Sequence, residues 1–102
     1  MKDKNIELFL DGIKEIKDKI ISIYLFGSRA KKSNTPYSDY DLLLVVKDKK
    51  IKDKIYNIAV DIFLKTGADL SFKIFKEKDF TYMRRIKYPF IKNIIKEGIR
   101  IG

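Results

Sequence analysis

Two apolar runs, one closed by a glycine-serine pair and the other entered through two acids, constrain this chain more than any other feature. Ile20 to Phe26 reads as a strand that stops at Gly27-Ser28, where a new element begins. Ser33 to Ser38, with Asn34, Pro36 and two serines, reads as a loop. Asp39 and Asp41 then lead into Leu42 to Val46, the buried run of a second strand at about 40–46. Strand side chains alternate, so the two acids point the same way, with Cα atoms roughly 6–7 Å apart at about 3.3 Å of rise per residue. Two carboxylates at that spacing suit one or two shared divalent cations, and a Gly-Ser turn brings backbone N–H groups close to a phosphate. Each feature alone also has an ordinary reading: acids at a strand head cap turns, and Ser28 could be a plain helix cap.

Taken together, Gly27-Ser28, ten intervening residues and Asp39-x-Asp41-Leu42 resemble the signature of the polymerase-beta-like nucleotidyltransferase superfamily. The form Gly-Ser-Arg-Ala followed by Ser-Asp-Tyr-Asp-Leu-Leu resembles its smallest members, the minimal nucleotidyltransferases paired with HEPN-domain proteins in bacteria and archaea. The resemblance implies a nucleotidyltransferase fold with Asp39, Asp41 and a third acid as catalytic, Mg²⁺-binding residues. It also implies that Gly27 and Ser28 hold the β- and γ-phosphates of ATP, with Arg29, Lys31 and Ser38 as further nucleotide contacts. The activity it implies is transfer of AMP to a tyrosine of a HEPN toxin, which would make the chain an antitoxin. Other readings are transfer to a small molecule or an RNA end, and a binding antitoxin that neutralises its partner by contact. The family commonly reads Gly-Ser-x-Ala-x-Gly, whereas Lys32 stands at the second glycine. Either that position needs a positive φ and lysine strains it, or the loop has changed shape.

The rest of the chain supplies the frame. Ile6, Phe9, Leu10, Ile13 and Ile16 recur at helical steps and predict one amphipathic helix over 5–19, with Gly12 tolerated inside it. In the first strand, Ile21, Ile23 and Leu25 are expected on one face and Tyr24 and Phe26 on the other. Ser28 to Lys32 predicts a short helix. Ile51, Ile55, Ile58, Ala59, Ile62 and Phe63 mark a second long helix that ends at Thr66-Gly67. A third strand is predicted over 69–75, with Leu70, Phe72 and Ile74 inward and Asp69 on the opposite face with Ser71 and Lys73. Asp69 is the candidate third acid, although a charge at a strand edge is an ordinary feature. Lys76 to Lys78 reads as a turn, Asp79 as the cap of a short helix, and Pro89 as the start of a last helix closed near Gly98, with a tail that could add an edge strand. Tyr82, Met83, Tyr88 and Phe90 read as an aromatic cluster for core or partner-interface packing rather than base stacking. The expected fold class is α/β (α+β): one domain, residues 1–102, with a small mixed sheet flanked by helices.

Composition narrows the chemistry. The chain has no cysteine and no histidine, which removes thiolate and imidazole catalysis and leaves carboxylates, Lys, Tyr or a metal. No apolar run approaches the ~20 residues of a membrane span, and Met1-Lys2-Asp3-Lys4-Asn5 lacks the apolar core of a signal peptide, so a cytoplasmic location is expected. The net charge of +9 favours polyanionic partners. The lysines are spread along the chain, however, so direct nucleic-acid binding is possible but not favoured. A homo-oligomer is also possible.

Overall fold

The computed structural model describes residues 3–102; Met1 and Lys2 of the charged N-terminal stretch lie outside the described residues. Four strands, β1 (Ile20–Phe26), β2 (Tyr40–Val46), β3 (Leu70–Lys76) and β4 (Ile99–Arg100), form a mixed sheet in the order β3-β2-β1-β4. β2 runs antiparallel to β1 and parallel to β3, while the short β4 pairs antiparallel with the outer edge of β1. The predicted mixed α/β architecture is therefore present, and the tail does form an edge strand. β1 and β2 have the predicted bounds. β3 starts one residue later than expected, which leaves Asp69 just ahead of it.

The central strand explains why helices cover both faces. Every β2 residue from Leu42 to Val46 is buried, so both sides of the strand need apolar cover. Leu42, Leu44 and Val46 pack with Ile23 and Leu25 against α1 (Lys4–Gly12) and α2 (Lys52–Thr66). Leu43 and Val45 pack on the other side against α3 (Glu77–Arg85) and α4 (Pro89–Glu97). Each fully buried Leu or Val contributes on the order of 1.5–3 kcal/mol. This double cover fixes the register that places the acids.

Five expectations change. The helix predicted over 5–19 divides at Gly12, with α1 giving way to a 3₁₀ helix over Lys14–Lys19. Gly12 lies against Ile58 of α2, where an added Cβ would be 2.7 Å from Ile58 Cγ2. The glycine permits close approach of the two helices and ends the α-helix at the same point. Ile21 packs with Tyr24 and Phe26 rather than with Ile23, because the β1–β2 register shifts between Ile20 and Ser22. Phe63 is half exposed instead of inward. α3 begins at Glu77, directly after Lys76, so there is no turn over 76–78 and Asp79 is not its cap. Phe90 packs edge-on to Phe26 and Tyr82 is half exposed, so the predicted aromatic cluster is not formed.

Candidate active site

At the end of β1, Phe26 pairs with Asp41 of β2, which places Gly27 beside the Asp41 side chain. Gly27 has φ +74°, a left-handed conformation. A Cβ built on it would overlap Asp41 Oδ2. Glycine thus serves twice here, turning the chain and leaving room for a carboxylate.

The following residues do not form the expected helix over Ser28 to Lys32. They form a single turn, in which Lys31 N donates to Gly27 O (3.2 Å) and Ser33 N to Ser28 O (2.9 Å). Lys32 closes it at φ +58°. The helix cannot extend because the residue that would continue it is left-handed. Lysine here holds a conformation that glycine adopts freely, at a cost of about 1–2 kcal/mol. Lys32→Gly is therefore expected to stabilise the protein by about 1 kcal/mol, raising Tm by roughly 4–8 °C for a domain of this size. A thermal melt in which Tm stays or falls would remove the strain assigned to Lys32.

The acids stand at two adjacent strand heads. Tyr40 pairs with Leu70 and its N–H donates to Asp69 O (2.9 Å), so Asp39 and Asp69 lie side by side along the backbone. Asp41 is partly buried and Asp39 exposed. Burial, and then the charge of Asp39, hold the Asp41 carboxyl above its ordinary range. The pair therefore interacts, although β2 begins at Tyr40 and leaves Asp39 one residue ahead of the strand. Asp69 is placed differently from expectation. The alternation that would set it with Ser71 begins only at Leu70, and Asp69 lines a groove of about 350 Å³ with Tyr56, Ala59, Val60 and Phe63. Among the described residues, no three acidic side chains converge on one point as a metal cage. The donor chemistry of Asp39 and Asp41 nevertheless fits a hard dication: all-oxygen ligands, and two like charges whose repulsion a cation would relieve.

The remaining candidates surround this pair. Arg29 donates from Nε (3.0 Å) and Nη2 (2.9 Å) to Ser38 O, and its guanidinium lies 3.9 Å from the centre of the Tyr40 ring. Tyr40 OH in turn donates to Asp3 Oδ2 (2.8 Å), while Asp3 Oδ1 accepts from Asn5 N (2.9 Å) at the start of α1. Arg29 thus clamps the loop that delivers Asp39, and it retains its Nη1 donors. Ser38 Oγ accepts from Thr35 N (2.9 Å) within that loop. Lys31 Nζ lies 3.2 Å from Glu97 Oε2 on α4, an exposed pair that contributes little. Sequence reasoning missed Tyr40 and Asp3, because no local pattern links residues so far apart. Beside Gly27, Ala30 and Lys31, a cavity of about 170 Å³ opens toward Asn93, Ile94 and Glu97. A larger cavity, about 560 Å³ between α1 and the β1–β4 edge, shares no residue with the turn or the acid pair. Size alone does not locate the chemistry here.

A family model described as "Polymerase beta, Nucleotidyltransferase" matches residues 10–102. Two proteins of Methanocaldococcus jannaschii, named "Putative protein adenylyltransferase" MJ0604 and MJ0141, are similar. The first is 30% identical over 97 residues, covering 94% of this chain and 93% of that protein. The second is 34% identical over 89 residues, covering 84% and 83%. Among solved structures, a toxin-antitoxin with AMP-PNP superposes with a TM-score of 0.54 at 18% identity, covering 93% of this chain and 67% of that one. A protein from Shewanella oneidensis superposes with a TM-score of 0.52 at 12% identity, covering 99% and 72%. At those identities the structural likeness establishes the fold.

Proposed function

The chain belongs to the polymerase beta nucleotidyltransferase family, and from that premise we propose that it is a protein adenylyltransferase that moves AMP from ATP to a tyrosine of a HEPN-domain toxin, acting as its antitoxin. The observation that carries the reading is the Asp39–Asp41 pair set against the left-handed Gly27 turn. The names of the two archaeal relatives support a protein acceptor, and the toxin-antitoxin structure with the same fold supports a toxin as that acceptor.

Asp39 and Asp41 would hold Mg²⁺, and Asp69, at the neighbouring strand head, would supply the third carboxylate. When bound, the ion supplies positive charge where the transition state gathers negative charge. The turn at Gly27 and Ser28 presents backbone N–H groups and a hydroxyl to the β- and γ-phosphates. Arg29 reaches the nucleotide through its Nη1 donors, with Lys31 and Ser38 on either side. The acceptor tyrosine gives its proton to a carboxylate, and its oxygen bonds to the α-phosphorus of ATP. The bond from that phosphorus to the bridging oxygen breaks, and pyrophosphate leaves. Because the acids and the turn are fixed by the sheet, the rate gain comes from alignment and from charge already in place.

The test is incubation of the purified chain with α-labelled ATP, Mg²⁺ and a HEPN partner from the native host, beside Asp39→Ala/Asp41→Ala. Label is expected on the partner with the intact acids alone. Label confined to RNA or small molecules would reassign the acceptor. Label that persists in the double variant would overturn the site.

A further inference from the structure

α2 is apolar on more than its core face. Ile55, Ala59 and Ile62 are buried in the core, while Tyr56 (40% exposed), Val60 (54%), Phe63 (50%) and Leu64 (75%) stand in solvent. Their spacing puts these four on a single stripe along the helix. Core packing accounts for the first set and not for the second, and a contiguous exposed apolar stripe marks a surface that something else covers.

The stripe forms one wall of the groove of about 350 Å³ that Asp69 lines with Tyr56, Ala59, Val60 and Phe63. The wall is braced from below. The Tyr56 ring stands perpendicular to Phe72 with centres 5.4 Å apart, and Phe72 packs on the buried Phe9 at 5.5 Å. Tyr40 N donates to Asp69 O (2.9 Å), which ties Asp69 beside Asp39. The groove therefore joins an apolar helix face to the strand heads that carry the acids. Among the described residues, no cation lies within ion-pair distance of Asp69.

Apolar walls with one carboxylate select a ligand by its chemistry. A purely apolar side chain would strip water from that carboxylate and leave it unpaired. A cation would meet Lys52, whose Nζ already lies 5.9 Å from the centre of the Tyr56 ring, and a chain of net charge +9. A phenol satisfies both parts, since its ring packs on the walls and its hydroxyl donates to the carboxylate.

We propose that this groove receives the acceptor tyrosine of the protein substrate, its ring against Tyr56, Val60 and Phe63 and its hydroxyl toward Asp69, while the rest of the stripe holds the apolar surface around that tyrosine. The inference stands on the protein adenylyltransferase reading and names the residues that choose the acceptor. The Gly27 turn and the Asp39–Asp41 pair then serve nucleotide and ion, and acceptor specificity lies in α2. A second copy of the chain seated on the same stripe would close the groove to any acceptor.

The test compares the parent with Val60→Gln/Phe63→Gln, using the HEPN partner from the native host as acceptor in turnover of α-labelled ATP and as ligand in calorimetry without ATP. Glutamine suits a helix and both positions are half exposed, so Tm is expected to hold. KM and Kd for the partner are expected to rise about tenfold or more, with kcat at saturating partner and KM for ATP unchanged. Val60→Ile/Phe63→Leu, which keeps the stripe apolar, should retain most of the affinity. Ile86→Ser, at an equally exposed apolar residue at the end of α3, should change neither constant. Unchanged KM and Kd in the glutamine variant, an equal rise from Ile86→Ser, or a fall in kcat in place of the rise in KM would overturn the groove and leave the adenylyltransferase reading intact. A parent dimer that the glutamine variant converts to monomer would assign the stripe to a second copy instead. A partner that binds through the stripe and is never labelled by the parent would overturn the adenylyltransferase reading, and the acceptor tyrosine with it.

Discussion

Asp41→Asn is expected to abolish AMP transfer and, without divalent cations, to leave a protein more stable at neutral pH than the parent. The substitution keeps the shape of the side chain and replaces an anionic oxygen with a neutral amide. Loss of a group aimed at developing charge costs about 10³-fold or more in turnover, on the order of 4 kcal/mol at 1.36 kcal/mol per tenfold. The gain in stability comes from the same carboxylate. Burial and the neighbouring Asp39 raise the folded-state pKa of Asp41 above its ordinary value. The folded protein therefore holds that proton more tightly than the unfolded chain does. Stability from this group is fullest below the ordinary carboxyl pKa, falls as pH rises through the raised folded value, and stays lost above it.

Asparagine carries no such penalty, so the gap between variant and parent should open across that acidic window and then hold constant. Mg²⁺ should reverse the order, because a cation that binds the folded parent alone adds to its stability. Thermal melts from acidic to neutral pH, with and without Mg²⁺, read both effects, and single-turnover labelling reads the chemistry. A variant that melts below the parent at neutral pH without Mg²⁺ would show that Asp41 is not under the repulsion assigned to it. One that keeps a tenth of the turnover would remove it from the catalytic pair. A site that is destabilising until it is filled is the expected form of a trade between stability and function.

What was legible in the sequence depends on the range of the interaction. β1 and β2 were legible because each is an apolar run with a clear stop, and the closeness of Asp39 to Asp41 was legible from their separation of two residues, although Asp39 precedes β2. Lys32 was legible as a departure, but whether it meant strain or a reshaped loop was not, and the positive φ found there favours strain. The break at Gly12 was not legible, because its cause is Ile58, on another helix. The facing of Ile21 was hidden by a shift in strand pairing that leaves no mark on composition. The clamp of Arg29 on the loop was not legible, because its partner, the Ser38 carbonyl, is a backbone group that no side-chain pattern announces. Asp69 fell one residue outside β3, where alternation ceases to apply. Local periodicity thus set the elements and the central acid pair, while contacts across the fold decided what surrounds them.

Gly27→Ala is expected to be the most damaging single change outside the acids, and Gly67→Ala is its control. Both glycines are left-handed, with φ +74° and +76°. An alanine at either position pays about 1–2 kcal/mol for that conformation. Their surroundings differ. A Cβ at Gly67, at the end of α2, meets nothing within 4 Å, whereas one at Gly27 overlaps Asp41 Oδ2 and lies 3.2 Å from Asp41 Cγ. Gly67→Ala should therefore lower Tm by roughly 4–8 °C per kcal/mol of conformational cost alone and leave transfer intact. Gly27→Ala should lower it further, to a total of about 2–3 kcal/mol, and displace the carboxylate on which the chemistry depends. A misplacement near 1 Å costs about 10²-fold in rate. The added contact predicts that the two positions are coupled. In an Asp41→Ala background the extra penalty of Gly27→Ala should largely vanish, leaving the cost seen at Gly67. Equal destabilisation by the two glycine substitutions in the parent, or additivity in the double variant, would mean that Gly27 does no more than turn the chain.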